Sequence, residues 1–156
     1  MKNLIEAIDK QIEQAIEIGE KLPFNSPNKS FQNILLCGLG GSGIGGAIVS
    51  QLLKKELNVP FICVNDYNVP SFVSENTLII ASSYSGNTEE TIAAVEEGMS
   101  KGAEICVITS GGTLAEMAKN NGWNHAIVPG GEQPRAMLAY SLIQQIYLLH
   151  KYGLTG

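Results

Sequence analysis

The sequence has little positive charge and almost no arginine. Its 156 residues carry ten lysines and arginines against fifteen aspartates and glutamates, which gives a net charge of −5. Proteins that hold the phosphate backbone of nucleic acids need a basic surface, and no lysine-rich patch with interleaved aromatics occurs here. The composition therefore argues against a nucleic-acid partner.

Cysteines, histidines and long apolar runs are also scarce. The three cysteines are far apart and lie in apolar segments, which predicts reduced thiols in a cytoplasmic protein. The two histidines are isolated and no metal-ligand spacing appears, so we expect no metal and no cofactor. No run of about 18 apolar residues occurs, which predicts the absence of a membrane span. The first 21 residues alternate charged and apolar side chains, unlike a signal peptide.

What is present is an alternation of strands and helices that predicts one domain over residues 1–156. An amphipathic helix over residues 1–21 comes first, and an α/β core over residues 33–152 follows. The predicted strands are apolar without polar alternation, which is typical of a parallel sheet buried on both faces. We expect a three-layer sandwich around a five-stranded parallel sheet, with strands at 33–38, 60–65, 77–82, 103–110 and 125–130 and helices at 43–55, 88–101, through Leu114 and Met117, and at 135–152.

A loop rich in glycine follows the first strand. This glycine loop, residues 38–46, reads GLGGSGIGG and contains six glycines, which let a backbone approach an anion closely. Gly38, Gly40 and Gly43 satisfy G-x-G-x-x-G, and Asp66 ends the second strand, so a dinucleotide site is one reading. A tight turn without a ligand is another. The hydroxyl of Ser42 offers a donor that a pyrophosphate turn does not need, which favours a different phosphate ligand.

A loop rich in hydroxyls follows the third strand. This serine loop, residues 83–88, reads SYSGNT and precedes two glutamates at a helix start. Ser85 or Asn87 could simply cap that helix, and Glu89 or Glu90 could complete a capping box. One cap needs only one such side chain, so three hydroxyls and a glycine favour an anion site. We interpret both glutamates as helix-stabilising residues.

Together with the later segment PGGEQPRAMLAY, these loops resemble the sugar isomerase (SIS) domain family. GLGGSGIGGA, SSYSGNTEET and this segment occur in the order found in the N-terminal half of bifunctional phosphoglucose/phosphomannose isomerases, and VNDYNVP fits that subfamily as well. The resemblance implies a flavodoxin-like SIS fold and a hexose 6-phosphate ligand. It implies that the sugar phosphate is held by Gly41, Ser42, Ser83, Ser85 and Thr88, without metal or nicotinamide.

The only arginine, Arg135, follows a predicted strand exit on the same side. The resemblance implies that it stabilises the enediolate formed during interconversion of glucose 6-phosphate or mannose 6-phosphate with fructose 6-phosphate. Its chemistry agrees, because a guanidinium can donate two parallel hydrogen bonds to adjacent oxygens where negative charge develops. The start of a helix is otherwise a poor place for a cation.

The family's complete enzymes carry two SIS domains in tandem, and their base, ring-opening histidine and further lysine lie in or beyond the second. We therefore expect this chain to be a first SIS domain that binds sugar phosphate weakly and catalyses little by itself. Glu132 and His125 are the local candidates for a base, and we interpret His125 as structural. The last helix is apolar nearly all round, which predicts cover from a second SIS domain or from a homodimer partner.

Two other functions stay open. A sugar-phosphate-sensing SIS module would use the same loops without catalysis, although no DNA-binding segment accompanies them. A nicotinamide-dinucleotide-binding domain would use the glycine loop together with Asp66.

Overall fold

A computed structural model describes residues 2–38, 41–131 and 134–155, with side chains described outside residues 2–8, 41–42 and 134–137. Strands and helices alternate along the chain, as the apolar segments predict. In order, the elements are α1 (Lys2–Glu20), β1 (Asn33–Cys37), α2 (Gly41–Leu52), β2 (Phe61–Val64), β3 (Thr77–Ser82), α3 (Glu89–Ser100), β4 (Glu104–Thr109), α4 (Gly112–Asn121), β5 (Asn124–Ile127) and α5 (Pro134–Lys151).

The five strands form one parallel sheet in the order β2-β1-β3-β4-β5. This confirms the predicted sheet and is the flavodoxin-like order, in which the direction of winding reverses between β1 and β3. The strand at 77–82 has the predicted bounds, whereas the other strands are shorter than predicted by one or two residues. The differences fall at strand ends, where pattern alone locates boundaries poorly.

The sheet is covered on both faces, which confirms the three-layer sandwich. Side chains of the three central strands, β1, β3 and β4, alternate between two cores, and both cores are apolar, so these strands show no polar alternation. Helices α1, α2 and α5 pack on one face through buried residues such as Ala15, Val49 and Leu148. Helices α3 and α4 pack on the other through residues such as Val95 and Leu114.

Helix α5 is buried on several sides, as its composition predicts, and its own chain supplies much of the cover. It packs against both α1 and α2. The Gln144 side chain donates to the carbonyl oxygen of Ala15 over 2.8 Å, and a Cβ at Gly19 would overlap the ring of Tyr147. The burial of α5 therefore does not require a second domain, and further packing through this helix stays a prediction. No helix in the described part of the chain is long and apolar enough to cross a bilayer.

Candidate functional site

The strand order brings two of the candidate loops together at one edge of the sheet. β1 and β3 are adjacent and parallel, and their carboxyl ends meet where the winding reverses. The glycine loop leaves β1 and the serine loop leaves β3, so both lie at the switch point. Open α/β sheets bind ligands in the crevice at this place.

The hydroxyls of the serine loop hydrogen-bond within the loop itself. The oxygens of Ser83 and Thr88 lie 2.8 Å apart, and Ser83 also accepts the N–H of Gly86 over 3.2 Å. The Ser85 hydroxyl accepts the N–H of Asn87 over 3.1 Å. Ser83 is buried whereas Ser85 is exposed. The loop is thus a folded turn whose side chains hold its own backbone.

The predicted cap of helix α3 is absent. Thr88 is the N-cap residue, yet its side chain makes no capping hydrogen bond because its hydroxyl pairs with Ser83. The prediction that Ser85 or Asn87 caps this helix is wrong, since the Ser85 hydroxyl accepts from Asn87 and the Asn87 carboxamide turns to helix α4. The first turn of α3 therefore has no cap from these three side chains, and uncapped N–H groups attract anions.

The loop also retains hydroxyl protons that the described residues do not use. A hydroxyl has one proton to donate and two lone pairs that accept. The Ser85 oxygen accepts from Asn87, which leaves its proton available. The Ser83–Thr88 pair uses one of its two protons internally and keeps the other. Two hydroxyl donors and the start of a helix can therefore converge on one anion without a lysine.

A second loop, residues 109–113, locks the serine loop in place. The Asn87 side-chain oxygen accepts both the N–H and the hydroxyl of Thr113 over 3.0 Å, and the Gly86 carbonyl accepts the N–H of Leu114. The Ser110 hydroxyl donates to the carbonyl oxygen of Tyr84 over 2.5 Å. These partners stand 26 to 28 residues apart in sequence, beyond the reach of local pattern arguments.

Acidic side chains flank the site on the β2 side. Glu89 and Glu90 occupy the first turn of α3, where they favour the helix dipole as predicted. The Tyr67 hydroxyl lies 3.4 Å from a Glu89 carboxylate oxygen. The charge of Glu90 is the largest cause of a raised pKa for Tyr67, ahead of burial and of Glu89. The sequence motifs do not single out Tyr67 as a neighbour of Glu89, because only the fold brings the loop after β2 next to α3.

The glycine loop is described in part. Gly41 begins helix α2 and Ser42 is its second residue, but the Ser42 side chain and residues 39–40 lie outside the described part. A Cβ at Gly43 would come within 3.2 Å of the Gly38 carbonyl oxygen, which explains the need for glycine at this turn. Beside the loop, towards β2, lies a cavity of about 370 Å³ lined by Gly38, Gly43, Ile44, Ala47, Cys63, Val64 and Asn65.

Helix α5 approaches the same edge of the sheet. The Ser141 hydroxyl lies 2.8 Å from that of Ser82, the last residue of β3. Arg135 is the second residue of α5 and precedes Ser141 by six residues, or about 9 Å of helix. Its side chain lies outside the described part of the chain. The backbone of Arg135 thus belongs to the segment of α5 that precedes its contact with the end of β3.

The other candidates are His125, Glu132 and Asp66. His125 is the second residue of β5, at the amino end of a parallel strand, and its Nδ1 lies 2.9 Å from the Trp123 carbonyl oxygen. This position agrees with the interpretation of His125 as structural, because the candidate loops leave the opposite strand ends. Glu132 lies outside the described residues. Asp66 follows β2, and its carboxylate accepts the N–H of Tyr67 over 2.7 Å.

The strand order weakens the dinucleotide reading further. Dinucleotide-binding domains have the order 3-2-1-4-5-6, whereas this sheet has the flavodoxin-like order. Within the described residues, no group of three His, Cys, Asp or Glu side chains could hold a metal ion. The arrangement thus favours a monoester phosphate held by hydroxyls and backbone N–H groups.

Comparison with known proteins agrees with this geometry. The family model of the SIS domain matches residues 29–150. The chain is 42% identical over 147 residues to the bifunctional phosphoglucose/phosphomannose isomerase of Caldicellulosiruptor bescii, covering 94% of this chain and 43% of that protein. It is 48% identical over 111 residues to the protein of the same name from Thermoplasma acidophilum, covering 71% of this chain and 34% of that one.

A solved structure shows the same fold. Tagatose-6-phosphate ketose/aldose isomerase from Escherichia coli superposes with a TM-score of 0.64 at 18% identity, over 98% of this chain and 44% of that one. The chain spans less than half the length of these relatives. The switch-point loops and the extent of the family match together show that this chain belongs to the SIS domain family.

Proposed function

We propose that this chain holds the phosphate of a hexose 6-phosphate for an aldose–ketose isomerase that interconverts glucose 6-phosphate or mannose 6-phosphate with fructose 6-phosphate. The observation that carries the proposal is the start of α3, which Ser85, Asn87 and Thr88 do not cap, beside two hydroxyls with protons to donate. The names of the relatives at 42% and 48% identity support this substrate class.

The phosphate would lie between the serine loop and the start of α2. Ser83, Ser85 and Thr88 would hold the phosphate with two hydroxyl protons, one from Ser85 and one from the Ser83–Thr88 pair, and Gly41 and Ser42 would complete the cradle from the glycine loop. No cation is needed, since hydrogen bonds from hydroxyls and helix N–H groups to an ionised acceptor are about twice as strong as neutral ones. A neutral cradle also allows the product to leave.

Arg135 would act at the other end of the sugar. The isomerisation moves a proton between C1 and C2 and develops negative charge on O1 and O2. A guanidinium fixed beside these oxygens stabilises that charge mainly in the transition state. We propose that the proton-transferring base comes from outside this chain, because His125 lies at the opposite end of the sheet.

Two further expectations belong to this proposal. The chain would function in the cytoplasm, where its three free thiols, Cys37, Cys63 and Cys106, stay reduced. It would pack against a second SIS domain or a second copy, with α5 as the predicted contact. Because α1 and α2 already cover much of α5, other exposed apolar residues are additional candidates for this contact. They are Ile44 and Leu52 on α2 and Ile62 on the edge strand β2.

Titration calorimetry of the 156-residue chain tests the ligand class. We expect binding of glucose 6-phosphate, mannose 6-phosphate and fructose 6-phosphate, and weaker binding of NAD. Ser85→Ala removes one donor to a charged group, worth roughly 1.5–3 kcal/mol, so affinity should fall by about tenfold or more. Ser100→Ala is the matched control, because this exposed hydroxyl bonds only to Glu97 at the far end of α3.

Three outcomes would contradict the proposal. Tighter binding of NAD than of the sugar phosphates would favour the dinucleotide reading. Isomerase turnover by this chain near the rate of a complete enzyme would show that a base lies within it. Binding of hexose 6-phosphates with no turnover, even when a base-carrying partner domain is added, would favour the sensing module.

A further inference from the structure

Three polar side chains form a buried chain between strand β3 and helix α5. The Gln145 amide donates to the Ser141 hydroxyl over 3.0 Å, and the Ser141 hydroxyl lies 2.8 Å from that of Ser82. All three residues are fully buried. They lie in an otherwise apolar interface, below the switch point.

Stability alone does not account for this group. Buried polar groups cost free energy unless all their hydrogen bonds are made, and apolar side chains of similar shape would fill the space as well. The Gln145 side-chain oxygen has no partner among the described residues, although it is buried. A hydrogen bond nevertheless has a narrow range of distance and angle, whereas apolar surfaces can slide past one another. The group therefore suits a position that must be held accurately.

The three elements that carry the proposed site meet at this group. Ser82 directly precedes Ser83 of the serine loop. Ser141 lies six residues after Arg135 on α5. Gly45, three residues after Ser42 on α2, lies beside this group, since a Cβ there would be in van der Waals contact with the Gln145 amide nitrogen at 3.4 Å and the Ser141 hydroxyl at 3.6 Å.

We propose that Ser141, together with Ser82 and Gln145, positions Arg135 relative to the phosphate-binding hydroxyls. The Ser82–Ser141 hydrogen bond fixes how far α5 extends beyond β3, and so fixes where the backbone that carries Arg135 lies relative to the serine loop. None of the three touches the substrate, so they are positioning residues. The inference rests on the proposed function, and in enzymes a displacement of 1 Å can cost about a hundredfold in rate.

The single arginine makes a test without ligand possible. Arg135 gives the only arginine Nε–Hε signal in a ¹⁵N NMR spectrum. Ser141→Ala should shift or broaden that signal and the amide signals of Ser83 and Gly86. Gln144→Ala is the matched control, because Gln144 is the buried neighbour on α5 that bonds to Ala15 of α1 instead of β3. It should leave the Arg135 signal unchanged at a comparable loss of stability.

A ligand comparison tests the functional consequence. Inorganic phosphate needs only the cradle, whereas a five-carbon aldonate 5-phosphate places its carboxylate where the enediolate oxygens would lie. Ser141→Ala should weaken binding of the aldonate phosphate by about tenfold and change phosphate binding by less than about twofold. Ser82→Ala removes the same hydrogen bond from the strand side and should reproduce this pattern, which covers the case of a poorly folded Ser141 variant.

The outcomes separate this inference from the proposed function. Equal weakening of both ligands by Ser141→Ala, or an effect no different from that of Gln144→Ala, would overturn the positioning role. An unchanged Arg135 signal in both the Ser141 and the Ser82 variants would do so as well. If the unaltered chain binds neither ligand, the proposed function fails, and the NMR comparison still decides whether Ser141 positions Arg135.

Discussion

Replacement of Gly86 by alanine tests how the serine loop is held. Gly86 is buried with φ +74°, a left-handed conformation that side chains rarely adopt. A Cβ there would overlap the carbonyl oxygen of Gly111 and lie 2.8 Å from the Thr109 hydroxyl. On the other side of the contact, a Cβ at Gly112 would overlap the Ser85 carbonyl oxygen. The two loops therefore interlock through glycines.

Two costs add for Gly86→Ala. A left-handed non-glycine backbone costs roughly 1–2 kcal/mol, and forcing a methyl group into packed atoms costs about 1–3 kcal/mol. The free energy of unfolding should thus fall by about 2–5 kcal/mol. Gly122→Ala is the matched control, because Gly122 has φ +67° and no atom within 4 Å of its Cβ position. Its free energy of unfolding should fall only by the cost of the left-handed backbone, roughly 1–2 kcal/mol.

Urea unfolding followed by far-UV circular dichroism measures both variants. The difference between them isolates the overlap with Gly111 from the backbone strain. Gly86→Ala should also weaken binding of glucose 6-phosphate by about tenfold or more, since the carbonyl of Gly111 displaces the loop, whereas Gly122→Ala should not. If the two variants lose the same stability, the interlock of the two loops is refuted. Retention of full ligand affinity in a folded Gly86→Ala variant would refute the role of loop position in binding.

Two other predictions concern stability. Asn87→Ala removes the oxygen that accepts the N–H of Thr113 at the start of α4 and should lower the free energy of unfolding by about 1 kcal/mol. Asn121→Ala, at the exposed end of the same helix, should lower it by less than half as much. Equal losses would contradict a role of Asn87 in capping α4. Burial, helped by nearby Cys63, raises the pKa of Cys37 from 9.0 to about 12. Because the pKa of this thiol is higher in the folded than in the unfolded chain, its contribution to the free energy of unfolding is complete below pH 9 and is lost as the pH rises towards 12. Unfolding measured at pH 8 and pH 10.5 should show the loss, and Cys37→Ala should reduce it.

Much of the fold is predictable from the sequence because its signals are local. Five apolar runs without polar alternation indicate strands buried on both faces, and the two cores confirm this for β1, β3 and β4, whereas the edge strands β2 and β5 are only partly buried. The cover of α5 is less predictable. A helix that is apolar on all sides is predicted to be buried, but the pattern does not show which element covers it. Here α1, which is distant in sequence, supplies part of the cover through Ala15 and Gly19.

The candidate site likewise has features that the sequence predicts and features that it does not. Hydroxyls and glycines at strand exits are visible in the sequence, so the loops and their proposed ligand class could be inferred. The contacts that hold the loops in place could not be inferred, because Asn87 bonds to Thr113 across 26 residues and Ser82 bonds to Ser141 across 59. The sequence suggested that Asn87 or Ser85 caps α3, and both side chains instead hold backbone elsewhere, which leaves the start of α3 without that cap. The correction favours binding, since a helix already capped by its own side chains would have fewer N–H groups to offer a phosphate.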